Sequence, residues 1–182
     1  DLAPEQRAYI QAYVDSFETA LHGPSFTDSA TGYQAYADVG SFVDLFLLNE
    51  LSRNVDGYRL SGYLYKDKLS NGGKLHAGPA WDFDLGWGNA NYCQGADTAG
   101  WQYLMGDFCP NENAQVPFWW PRLMEDSNFV NTVRCRWEAL RDNVLSPGYV
   151  AAFCDSVAAV LDQAQQRNFE AWPILGEYVW PN

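Results

Sequence analysis

Histidine is nearly missing from this chain, with only His22 and His76 among 182 residues. No Cys-x-x-Cys pair occurs among the four cysteines, so a tetrahedral zinc site has too few ligands. Basic residues are scarce too: 11 Lys and Arg face 23 Asp and Glu, for a net charge of −12. Such a field repels phosphate backbones and argues against a nucleic-acid partner, while it suits cations or basic protein substrates. No apolar run approaches the ~20 residues of a membrane-spanning helix. The start also has no basic segment followed by an apolar one, the mark of a signal peptide.

Apolar material is plentiful. Hydrophobic residues make up 47% and aromatics 16%, including 8 Trp, far from the composition of a disordered chain. Most aromatics fall at periodic positions, which assigns them to a core. The length fits one domain, or one lobe of a larger enzyme, over residues 1–182.

Periodicity predicts a mainly helical α+β chain. Residues 4–21 carry the stripe Ile10, Tyr13, Val14, Phe17 and Leu21, with Pro4 in the first turn and Gly23-Pro24 as the stop. A second helix begins near Asp38–Ser41, where Ser41-x-x-Asp44 resembles a capping box. Its body, from Phe42 to Leu48, is apolar nearly all round and predicts a buried central helix. Alternation over 59–66 and again over roughly 74–81 predicts two strands, joined by a tight turn at Ser70-Asn71-Gly72-Gly73. Pro79 belongs near a strand end.

Gly88 to Asn113 reads as an irregular loop. Helical signals return at 117–125, then at Phe129 to Val144, and finally after Ser146-Pro147 with the stripe Val150, Phe153, Val157, Val160, Leu161 and Ala164. The short joint between the last two predicts antiparallel packing. Of three possible pairings, the expected disulfides are Cys93–Cys109, closing the loop, and Cys135–Cys154, level across that helix pair. Free thiols are the alternative. Two disulfides imply an oxidising compartment.

Chemistry concentrates in Gly78-Pro79-Ala80-Trp81-Asp82-Phe83-Asp84 and the turn after it. The hairpin tip lies nearly midway between Asp56 and Asp82, so simple register brings Asp56 beside Asp82 and Asp84 at the open end. Asn54 and Asn89 stand close as neutral oxygen ligands. Carboxylates so placed repel unless a cation or proton lies between them. Magnesium is the natural occupant, with calcium and manganese as alternatives. A carboxylate off the metal can accept a hydroxyl proton. Caps of turns explain any one of these aspartates, but less well all three.

The runs Asn54-Val55-Asp56-Gly57-Tyr58, Tyr63-Leu64-Tyr65-Lys66-Asp67, Gly73-Lys74-Leu75 and Trp81-Asp82-Phe83-Asp84 resemble the spore-coat CotH kinase family. Phe118-Trp119, Arg136-Trp137, Leu140-Arg141 and Arg167-Asn168 extend the resemblance, which spans most of 33–172. It implies a kinase-like C-terminal lobe of packed helices, with the hairpin carrying the acidic site. It also implies a secreted or cell-surface, atypical kinase that transfers phosphate from ATP, with a divalent metal, to Ser or Thr of a protein substrate. Asp56 would then be the catalytic aspartate, with Asp82 and Asp84 at the metal. No Gly-x-Gly-x-x-Gly element precedes Asp38 and the first lysine is Lys66, so the chain reads as the C-terminal lobe without its nucleotide lobe, inactive alone. The alternative function is a non-catalytic surface module stabilised by calcium or another metal. A sugar-binding or hydrolytic role for the carboxylates and Trp residues ranks last, since no carboxylate separation is fixed.

Overall fold

In the computed structural model, which describes residues 3–109 and 115–180, six α-helices surround one short hairpin. Residues 110–113 of the expected loop fall outside the described residues. Helix α1, Pro4–His22, buries Phe17 and Leu21 as its stripe predicts. Helix α2, Val39–Ser52, is the centre of the molecule and buries Phe42, Val43, Leu45, Phe46 and Leu47. Its cap is Asp38, whose carboxylate accepts the Ser41 N–H at 2.9 Å. The expected Ser41–Asp44 box does not form, because the Ser41 hydroxyl donates to the Asp38 carbonyl and Asp44 pairs with Arg136 at 2.7 Å.

Strands β1, Leu64–Lys66, and β2, Leu75–Ala77, pair antiparallel with Tyr65 opposite His76. Both are shorter than expected. Before β1 the Asp56 carbonyl accepts the N–H groups of Arg59, Leu60 and Ser61, which winds 56–61 into turns instead of strand. Strand β2 ends two residues before Pro79, which has no N–H to give a ladder and so takes its expected place near the strand end. The tip is a 3₁₀ turn over Leu69–Asn71, closed by Gly72 at φ 91° and Gly73 at φ 65°. Glycine is needed at both for that left-handed backbone. On its other edge β2 is tied to the lead-in of α2: Leu75 donates to Tyr36 and Asp38 donates to Leu75, both at 2.8 Å.

Two short helices follow, α3 (Met105–Phe108) and α4 (Trp119–Leu123). In α4, Trp120 is buried and Trp119 donates to Glu18 of α1, so this tryptophan pair serves the core. Arg122 donates to the last carbonyls of α1, at Leu21 and Gly23. Helix α5, Ser127–Arg141, packs Phe129 and Val133 against α2. Tyr33 donates to its cap, Asp126, at 2.9 Å; burial and that carboxylate both raise the phenol's pKa.

Helix α6, Pro147–Ala171, departs from expectation. It buries none of its residues, and its stripe of Val150, Phe153, Val157, Val160 and Leu161 faces outward. Cys135 and Cys154 are consequently free and exposed, and the expected bridge between them is absent. The apolar face of α5 is already satisfied by α2, which removes the driving force for α5 to take α6. The other expected bridge, Cys93–Cys109, is present.

Candidate active site

The turn after α2 and the segment after β2 bring the acidic residues together. Arg53 ends α2 in a left-handed conformation, φ 52°, which swings the chain back so that Asn54 and Asp56 face the segment from Asp82 to Asn89. Asn54 is fully buried and bridges the two. Its Oδ1 accepts the Asp56 N–H at 3.1 Å, and its Nδ2 donates to the Asp82 carbonyl at 3.4 Å. Both halves of this amide therefore hold backbone in place. Below them Trp87 donates to the Ser52 carbonyl, fixing the second segment to the end of α2.

Asp56 is half-buried, while Asp82 and Asp84 are exposed. The Asp56 carboxylate takes a 2.9 Å ion pair from Arg59. Burial raises its pKa above the usual carboxylate range, Arg59 pulls it back, and the charges of Asp84 and Asp82 raise it further. The charges of Asp84 and Asp82 thus reach Asp56, which lies on a wound turn rather than on an extended strand. Asp82 adopts φ 61°, a left-handed conformation that Asp tolerates better than most residues, and the Ser61 hydroxyl donates to its Oδ2 at 3.3 Å. Asn89 donates to the Asp84 carbonyl at 2.7 Å.

Three contributors escaped the sequence reading. Arg59 and Ser61 touch Asp56 and Asp82 directly. The Tyr92 phenol has its pKa raised by burial and by the charges of Asp56 and Asp84. Arg59 and Ser61 lie in the stretch expected as strand, where alternation carries no sign of these contacts; Tyr92 had no signal either, since only tertiary packing brings it near. Behind this wall Val55, Ala90 and Met105 form a small second core beside the Cys93–Cys109 bridge, which anchors the loop at Tyr92.

His76 stacks on Tyr65, with ring centres 4.8 Å apart. Lys66 lies over the rings of Tyr9 and Tyr13, joining the hairpin to α1.

A family model described as CotH kinase protein matches residues 1–180. The chain belongs to the CotH kinase family. That match takes in α1, the turn between Asn54 and Ser61, the hairpin and α6 alike. No curated protein and no solved structure matches the chain.

The donor set can be tested for a metal on this family's terms. Among the described residues, no three His, Cys, Asp or Glu side chains converge closely enough to hold one ion together. Asp82 and Asp84 nevertheless offer two exposed carboxylates on one short segment. Magnesium, which binds through one or two carboxylates and completes its shell with waters and phosphate oxygens, fits such a set. Calcium, with six to eight ligands, asks for more protein oxygens than these side chains supply.

Proposed function

We propose that this CotH-family chain carries the acid–base and metal-binding half of a Mg-ATP-dependent kinase acting on Ser or Thr of a protein substrate. What supports it is that the half-buried Asp56 carboxylate lies within reach of the charges of Asp84 and Asp82, with Asn54 joining the two acidic segments. In this reading Asp56 accepts the proton of the attacking hydroxyl. Its raised proton affinity suits it to that task, and Arg59 keeps it ionised and oriented. Asp82, held by Ser61 and by its own left-handed backbone, is the firmer metal ligand, with Asp84 supporting it directly or through water. Magnesium, when bound, neutralises charge on the transferred phosphoryl group. Asn54, fully buried, and Asn89 brace the two acidic segments, and only Asn89, which is partly exposed, lines the approach to the nucleotide. The Cys93–Cys109 bridge supports an extracytoplasmic setting.

Phosphate transfer from labelled ATP to a protein acceptor, measured on the full-length protein, tests the reading. Asp56→Asn should lower turnover by about 10²–10⁴-fold, the usual worth of a general base. Asp82→Asn should abolish dependence on magnesium. Undiminished transfer in Asp82→Asn refutes the proposal.

A further inference from the structure

A second cavity, of about 470 Å³, opens between α2, α5 and the Gly100–Trp101 segment. That volume lies within the usual 300–1,000 Å³ range of small-molecule sites. Its walls are apolar and aromatic, with Leu47 from α2, Val133 and Trp137 from α5, and Trp101 across from them. One carboxylate interrupts them: Glu50, in the last turn of α2.

Glu50 is built into the structure. It accepts the Gln102 and Tyr103 backbone N–H groups at 2.7 and 2.8 Å, and the Tyr58 hydroxyl at 2.7 Å. All three donors are neutral. No ion pair reaches Glu50 among the described residues. Arg53 acts on it only from beyond contact, with its Nη2 donating to the Gln94 carbonyl at 2.8 Å. Arg134, which also lines the cavity, has its charge paired with Glu138 at 3.0 Å. Burial outweighs Arg53 and leaves the carboxyl above its ordinary pKa, so its charge is under-compensated. The carbonyl end of α2 adds negative potential at the same place. The net charge of −12 adds to it from a distance.

A half-buried carboxylate in a cavity that two indoles also line is complementary to a cation with an apolar stem. Indole faces attract ammonium groups, most strongly where water is excluded. We propose that this cavity binds an alkylammonium group, from a lysine side chain or a small primary amine, with Glu50 as counter-ion and Trp101 and Trp137 as walls. It is separate from the Asp56–Asp82 site, and Tyr58, two residues from Asp56, connects the two through its bond to Glu50.

The test is calorimetric titration of the whole chain with n-butylammonium chloride, against 1-butanol at matched ionic strength. Butylammonium should bind saturably and at least about tenfold more tightly than butanol, the size of one hydrogen bond to a charged group. Glu50→Gln should erase that preference. Because Glu50 also braces backbone, Trp137→Ala serves as a second variant; it leaves the Glu50 bonds intact and should weaken butylammonium several-fold. Nα-acetyl-lysine methylamide separates the sources: binding as tight as butylammonium assigns a protein lysine, and weaker binding assigns a free amine. Equal affinity for butanol and butylammonium, no saturable binding, or a preference that survives Glu50→Gln overturns the proposal. The titration needs neither nucleotide nor metal, so its failure leaves the phosphotransfer reading untouched.

Discussion

Asp56 is held where its charge is disfavoured. Its folded-state pKa is raised, so the proton is held more tightly in the folded than in the unfolded chain. That contribution to stability is fully present below the unfolded carboxyl range and is lost as pH rises through the folded value. At neutral pH the ionised side chain therefore costs stability, with Arg59 offsetting part of the cost. Asp56→Asn removes the charge. Its melting temperature should exceed that of the wild type at pH 7, and the gap should close below about pH 4, near the ordinary Asp pKa. A melting curve below wild type at pH 7 would contradict this account. Such a trade of stability against chemistry is common where side chains serve a reaction. Hairpin arithmetic depends only on spacing, so the sequence could place Asp56 on one side of the hairpin and Asp82 and Asp84 on the other. It did not show Arg59 as the ion-pair partner, since the turns over 56–61 follow from carbonyl bonds that no alternation pattern encodes.

Among the elements, α5 and α6 make a controlled comparison. Both read as amphipathic helices, yet α5 buries Phe129 and Val133 while α6 buries nothing. Periodicity finds an apolar face but not its partner, which is why the helices were legible and their antiparallel pairing was not. The same reasoning explains one disulfide found and one refuted. Cys93–Cys109 closes a local loop, whereas Cys135–Cys154 needed two helices to meet. Phe129→Ala should cost about 3–5 kcal/mol in urea unfolding, the range for a fully buried aromatic. Val160→Asp, at 81% exposure, should change stability by less than about 0.5 kcal/mol. A large loss in Val160→Asp would mean that α6 is covered in solution.

At the scale of the whole molecule, the excess of acid is the dominant long-range term. A net charge of −12 repels itself most in the compact state, and salt screens that repulsion over about 10 Å at 0.1 M. Raising sodium chloride from low to physiological strength should therefore raise the melting temperature, as read by differential scanning calorimetry; a fall would point to ion pairs outweighing repulsion. Composition alone made this charge balance legible, while periodicity did so for the mainly helical class and the apolar run from Phe42 to Leu48 for the buried centre at α2. One local arrangement has a wider consequence. The carbonyl of Asp56 organises the turn by accepting three N–H groups, while its carboxylate, paired with Arg59, is the group to which the proposed chemistry belongs. Architecture and reactivity belong to one residue but to different atoms. Exchange of a single side-chain oxygen for nitrogen would thus silence the chemistry and leave the shape standing. On the proposed reading, a single Asp56→Asn exchange separates an active chain from one that keeps only its shape.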